Sequence, residues 1–275
     1  MKILNFDYSN CLTEIHDVSS LKNLEKFSFE NCENLITIHK SVGLLNKLKF
    51  LSAKGCSKLR RFPPIKLVSL KILILSFCRK LKSFPEILGK MENITRLVLE
   101  ETPIIEFPSS FQNLTRLQTL QLSYCGTFRL PSNLFMMPDL VEIIAWRLEG
   151  WTLPKQAEGE QRVISLVSSN VECLSLPFCK LSNDFFQTGL TWFRNVKTLN
   201  LVHNNFTILP ECIKECHLLR DLCLNNCQHL QEVRGLAPNL EIFSAGGCKS
   251  LTSTEMLLNQ VFFFRIIFYN LYEKK

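Results

Sequence analysis

Apolar residues recur along this chain with two superimposed periods. Inside short windows they alternate with polar ones, and the windows themselves return about every 23 residues. Residues 24–38 read LEKFSFENCENLITI, 48–62 LKFLSAKGCSKLRRF, 70–84 LKILILSFCRKLKSF, 219–233 LRDLCLNNCQHLQEV and 240–251 LEIFSAGGCKSL. The shared pattern is L-x-x-L-x-L-x-x-C-x-x-L, and looser copies begin at Met1, Ile94, Leu117, Leu140, Val171 and Val196. The L-x-L alternation predicts a short strand with one face turned inward. One block cannot bury its apolar edge alone, so blocks must stack strand beside strand. Pro63, Pro85, Pro108, Pro131 and Pro210 each follow Phe or Leu, 14 or 15 residues after their block starts. Proline has no N–H for a ladder, so the strand is over by then and the chain crosses to the other side.

This is the leucine-rich repeat signature, and it predicts an α/β solenoid. The expected fold is a leucine-rich repeat horseshoe of about eleven repeats of about 23 residues, with a parallel sheet on the concave face and short helical or irregular crossings. Leu51, Leu73, Leu99, Leu122, Leu201 and Leu224 are expected in its core. One domain, residues 1–260, carries the repeats. The block from Leu140 is 31 residues long because 149–170, EGWTLPKQAEGEQRVISLVSSN, is polar and aperiodic and reads as a loop insertion. After Gln260 the pattern stops. Residues 261–275, VFFFRIIFYNLYEKK, read as a non-repeat apolar tail whose removal should improve solubility. The run is too short for a membrane span and Arg265 interrupts it, so no membrane partner is expected.

Composition adds two constraints. Of 275 residues, 46% are hydrophobic and 21% charged, which places the chain among globular proteins and not disordered ones. The net charge is +7, but residues 40–96 hold fourteen Lys and Arg against only Glu86 and Glu92. Lys49, Lys54, Lys58, Arg60, Arg61, Lys71, Arg79, Lys80, Lys82 and Arg96 fall in consecutive blocks. They are expected to form a basic belt that docks on an acidic protein surface. Nucleic acid is not the expected partner, because no nucleic-acid module accompanies the charge.

Seven of the twelve cysteines, Cys32, Cys56, Cys78, Cys125, Cys179, Cys227 and Cys248, hold the ninth position of their block, which Ser9, Thr102 and Asn204 hold elsewhere. All are small side chains able to satisfy backbone groups where the chain leaves the strand, so a stacked ladder is expected. The competing reading is zinc, since Cys212, Cys216, Cys223 and Cys227 have ligand-like spacing. The repeat frame points them in different directions, so no metal is expected. The start, MKILNFDYSN, lacks a basic-then-apolar leader, and reduced thiols in the cytoplasm follow.

The third, fifth, seventh and eighth positions are candidates for the concave face. The eighth reads Tyr8, Asn31, Gly55, Phe77, Glu101, Tyr124, Arg147, Phe178, His203, Asn226, Gly247 down the stack, and Trp146 holds a seventh position. Aromatic and Arg side chains anchor interfaces most often. Tyr124, Trp146, Arg147, Phe178 and His203 are therefore the expected partner-binding residues. No phosphate-binding loop, nucleophile elbow or H-E-x-x-H is present, so neither an enzyme nor a cofactor is expected.

The stretches LNFDYSNCLTEI, LEKFSFENCENLITIHKSVGLLNKL, LSFCRKLKSFPEILGKM, LNLVHNNFTILPECIKEC and LEIFSAGGCKSL resemble the leucine-rich repeat region of plant intracellular immune receptors of the TIR–NBS–LRR class. The resemblance covers nearly all of residues 1–260. It implies a protein-binding sensor of a cytoplasmic defence receptor that recognises a pathogen effector or host guardee and restrains the receptor's own nucleotide-binding domain. The chain then reads as a truncated fragment, with repeats from Met1 onward and no polar cap. Two other classes share the repeat: the ectodomain of an extracellular receptor, and a substrate adaptor for ubiquitin ligation.

Overall fold

The L-x-L segments do form parallel strands, and equivalent leucines lie opposite one another along the stack. The computed structural model describes residues 1–130, 134, 137–152, 169–186, 190–252 and 265–266. They fall into two units, Met1–Leu140 and Val141–Lys275.

Unit 1 contains β1 (Ile3–Asn5), β2 (Glu14–Ile15), β3 (Lys26–Ser28), β4 (Thr37–Ile38), β5 (Phe50–Ser52), β6 (Ile72–Ile74), β7 (Arg96–Glu100) and β8 (Thr119–Arg129). Its main sheet runs β1-β3-β5-β6-β7-β8. Leu4, Phe27, Leu51, Leu73, Leu97 and Leu120 face each other in register, one per strand. A second, narrower ladder lies on the return path, where β2 pairs with β4 and Ile65 bridges Ile87.

Unit 2 contains β9 (Glu142–Thr152), β10 (Cys173–Ser175), β11 (Thr198–Asn200), β12 (Ile208–Leu209), β13 (Asp221–Cys223), β14 (Glu232–Val233), β15 (Ile242–Ser244) and β16 (Arg265–Ile266). The main sheet is β9-β10-β11-β13-β15-β16, and β12 pairs with β14 on the return. β9 continues through Thr152, so 149–152 of the expected insertion extend a strand, while 153–168 lie outside the described residues. Within the expected tail, β16 pairs in parallel with β15, Phe243 opposite Ile266. The rest of that segment lies outside the described residues.

Among the described residues, four crossings contain 3₁₀ turns of four or five residues, at Lys40–Leu44, Ser109–Asn113, Leu190–Phe193 and Glu211–Glu215, so there the helical half of the expected α/β alternation is reduced to single turns. Pro108 and Pro210 precede two of them with φ −66° and −78°, the value their rings impose.

Leu51, Leu73, Leu99, Leu122, Leu201 and Leu224 are all fully buried. The abundant phenylalanines fill the space between strand and return. Phe107 stacks on Phe111 at 3.8 Å and meets Phe84 and Phe128 edge-on at 5.3 and 4.9 Å. Offset and edge-to-face contacts of this kind add to the area each ring buries.

Candidate functional site: the strand exits

Each strand ends in the same corner, and the hydrogen bonds there explain the sequence pattern. The N–H at position 8 donates to the position-7 carbonyl of the next repeat, as in Phe77 to Glu100 at 2.6 Å and His203 to Asn225 at 3.0 Å. The chain then turns so that the position-9 N–H reaches back to the position-6 carbonyl of its own repeat (Cys56 to Ala53, 3.2 Å). That same carbonyl receives the thiol of the following repeat, Cys78 Sγ to Ala53 O at 3.2 Å. Thiols of Cys32, Cys56, Cys125, Cys179, Cys227 and Cys248 repeat the bond to Phe6, Phe29, Leu99, Ala145, Leu201 and Leu224 at 3.0–3.3 Å. Asn204 substitutes with an amide that spans Leu176 O and Leu201 O at 2.8 and 2.9 Å. The expected ladder is thus a chain of side-chain donors that gives a buried carbonyl its second partner.

Burial fixes the chemistry of these rungs. Desolvation pushes the Cys78 thiol up to about 12 and Cys179 to about 11, and raises Cys56 and Cys125 likewise. The bond between neighbouring rungs Cys227 and Cys248 raises the first and lowers the second. The other zinc candidates lie apart by role. Cys212 Sγ reaches Phe186 O at 3.7 Å, Cys216 is buried after the 3₁₀ turn, and Cys223 sits half-exposed on β13. Among the described residues no group of three His, Cys, Asp or Glu side chains is placed to hold a metal ion.

The eighth position holds a property that side-chain alternation does not encode. All eleven eighth-position residues have positive φ, from 48° at Glu101 to 77° at Gly55. This is the left-handed region, open to Gly and tolerable for Asn, and costly by roughly 1–2 kcal/mol for other residues. Gly55 and Gly247 meet the requirement without strain, and a Cβ at either would collide with Oδ1 of Asn31 or Asn226 on the neighbouring rung. Tyr8, Phe77, Glu101, Tyr124, Arg147, Phe178 and His203 all adopt it against their preference.

In unit 2 three of the five expected partner-binding residues form a continuous pile. The Trp146 and Phe178 rings lie 5.8 Å apart at 10°, and Phe178 and His203 lie 4.1 Å apart at 15°. Arg147 places its guanidinium carbon 5.3 Å from the Phe178 ring centre. Trp146 is 44% exposed, while Phe178 and His203 are half-buried. A Lys180–Glu149 ion pair of 2.6 Å borders the pile. Tyr124 belongs to unit 1, where it occupies the equivalent corner and is 45% exposed.

The ten basic residues of the expected belt take several different repeat positions. Lys49 and Lys71 stand at strand entries, and Arg96 opens β7. Lys54 lies beside the corner, 5.8 Å over the Phe77 ring. Lys58, Arg60, Lys80 and Lys82 follow the corner at matching positions of two successive repeats and are all exposed, as is Arg61. Lys58 Nζ reaches Asn34 Oδ1 at 2.7 Å, which shows that this position stacks between repeats. Lys49 and Arg79 are neutralised by Glu25 and Glu101 at 2.6 and 2.7 Å.

The leucine-rich repeat model described as "Disease resistance protein RPS4B-like" matches residues 66–266. The TMV resistance protein N of Nicotiana glutinosa is 27% identical over 87% of this chain and 25% of its own length. Disease resistance protein RPS4B of Arabidopsis thaliana is 28% identical over 95% of the chain and 19% of its own length, and RPP2A of the same plant is 38% identical over 52% and 10%. The chain therefore spans a quarter or less of these relatives. Among solved structures, a leucine-rich repeat protein of Leptospira interrogans superposes with a TM-score of 0.58 at 20% identity, over 94% of this chain and 76% of that one. The InlJ domain of Listeria monocytogenes, described as including a cysteine ladder, gives 0.56 at 13% identity over 86% and 54%. Among the described residues no helix is long and apolar enough to cross a membrane.

Proposed function

The chain belongs to the leucine-rich repeat family of RPS4B-like disease resistance proteins, and from that premise we propose that it is the protein-recognition part of a larger cytoplasmic plant defence receptor. It binds a pathogen effector or a host protein that effectors modify. The observation that carries this reading is the Trp146–Phe178–His203 pile with Arg147 against it. Rigid aromatics and an Arg are the side chains that bury large area at low entropy cost. Three of the four residues, Arg147, Phe178 and His203, hold a left-handed backbone that Gly or Asn would accept at lower cost. Tyr124 at the equivalent corner of unit 1 is assigned the same role. The role is recognition and not catalysis.

The basic residues after the corner, Lys58, Arg60, Lys80 and Lys82, serve a second contact, with the acidic surface of the receptor's own nucleotide-binding domain. That contact restrains the nucleotide switch until the ligand is bound. Arg61 borders the same set.

The test is co-precipitation of this chain with a panel of effectors from plant pathogens. Trp146→Ala and Phe178→Asn should abolish capture of a bound effector at unchanged melting temperature, while Arg234→Ala should leave capture intact. Capture that survives both substitutions overturns the assignment. Binding of the separate nucleotide-binding domain should weaken with salt and with Arg60→Glu/Lys82→Glu.

A further inference from the structure

A second surface lies on the main sheet of unit 1. Positions 3 and 5 are polar on β3 (exposed Lys26, buried Ser28) and again on β8 (Thr119, Gln121). Between them β5, β6 and β7 carry Phe50, Ile72, Ile74 and the buried Val98 at four of those six positions, with Ser52 and Arg96 at the other two, and their mutual register holds the four apolar residues together. Phe50, Ile72 and Ile74 are half-buried, so each still presents apolar area to solvent, and Phe77 adds a half-buried ring at the corner. A cluster of partly exposed apolar side chains on a sheet face marks a contact surface, and Ile3 of β1, 61% exposed, is a further apolar residue on the same sheet.

Lys26 Nζ sits 5.1 Å from the Phe50 ring centre and Lys54 Nζ 5.8 Å from that of Phe77. Lys71 and Arg96 stand exposed at the adjoining strand entries. Among the described residues no carboxylate pairs with Lys26, Lys54, Lys71 or Arg96, a state they share with most Lys and Arg of unit 1, where Lys2, Lys49, Arg79 and Arg116 are the ones that form ion pairs. The acids of the face are turned to its own polar groups. Glu30 accepts from the Ser52 hydroxyl and Glu100 from the Gln121 amide, each at 2.6 Å.

We infer that this face, from Lys26 to Arg96, binds an acidic segment of a partner protein that carries large apolar side chains. The apolar residues seat on Phe50, Ile72 and Ile74, and the carboxylates meet the four unneutralised cations. A lysine already held against a ring gives up little freedom on pairing, and the surrounding apolar surface weakens solvent screening of the pair. A basic segment would meet like charge. A nucleic acid backbone would satisfy the cations but leave the cluster without apolar partners. The surface is independent of the Trp146 pile.

Fluorescence anisotropy of the full chain with labelled peptides of about twelve residues tests this. One peptide alternates Glu with Phe or Leu, a second alternates Glu with Ser, and a third alternates Lys with Phe or Leu. The first should bind at least ~10-fold more tightly than either other, a difference that corresponds to about 1.4 kcal/mol. Affinity should fall as NaCl rises from about 0.05 to about 0.5 M, because the Debye length shortens. Lys26→Glu/Lys54→Glu should cost at least ~10-fold at an unchanged melting temperature. Ile72→Thr, which keeps a β-branched side chain, should narrow the gap between the first two peptides. Trp146→Ala should change nothing here, so failure of this proposal and failure of the functional reading are told apart. Equal binding of the Glu/Ser peptide, indifference to the double charge reversal, preference for a single-stranded oligonucleotide, or no binding of the first peptide at about 1 mM would each overturn it.

Discussion

Phe178 and His203 stack with ring centres 4.1 Å apart, and both rings stand on backbone with positive φ, 60° and 57°. The stack is therefore mounted on a corner that disfavours its own residues. The corner itself is indispensable, since it lets one N–H join the next repeat and another close the turn. What is free to vary is the side chain placed there. Large groups at this corner oppose backbone preference, which separates recognition from stability in a measurable way.

Substituting an exposed corner residue by glycine should leave folding intact or improve it. Tyr124→Gly is expected to change stability by between 0 and about 1 kcal/mol in the stabilising direction, because release of left-handed strain exceeds the added chain entropy. The reverse change, Asn226→Val or Gly55→Ala, should destabilise by at least about 1 kcal/mol. Urea midpoints at constant m-value check both signs.

Leu99→Ala and Leu201→Ala remove fully buried side chains from the two units and should each cost about 2–5 kcal/mol. Losses below about half a kilocalorie at both would show that the repeat frame is wrong.

The ladder thiols predict a pH dependence. Burial raises Cys78 to about 12 and Cys179 to about 11, so the folded chain keeps these protons while the unfolded chain loses them near pH ~8.5. Above that pH the folded state binds more protons than the unfolded one, so stability should fall as pH rises and level off near the folded values. Cys78→Ser, which keeps a donor for Ala53 O, should flatten part of that slope. Exposed Cys11 should react with maleimide before any ladder thiol in native conditions.

Deletion of residues 261–275 should lower the melting temperature. Arg265–Ile266 pairs with Ile242–Phe243, so the deletion exposes the free edge of β15. The sequence reading anticipates the opposite benefit, better solubility, and a raised or unchanged melting temperature would favour it.

Much of this protein was legible from the order of its residues. A repeat of about 23 residues with L-x-L alternation dictates which side chains turn inward, because the strand period is two, and Leu51 through Leu224 are buried as that rule requires. The cysteine ladder followed from the same frame, since small donors hold position 9 in every block but the one from Leu140, where Leu148 stands. The sign of φ at position 8 did not follow. Alternation says which face a residue takes, whereas left-handed backbone is imposed by closing the turn on hydrogen bonds to a neighbouring repeat. The apolar cluster on β5–β7 was equally hidden, because Phe50, the pair Ile72 and Ile74, and Val98 lie in three blocks and become one surface only when register sets them side by side. Charge behaved likewise. Sequence counts fourteen cations between residues 40 and 96, but only folding decides that Lys49 meets Glu25 while Lys26 and Lys54 rest on aromatic rings.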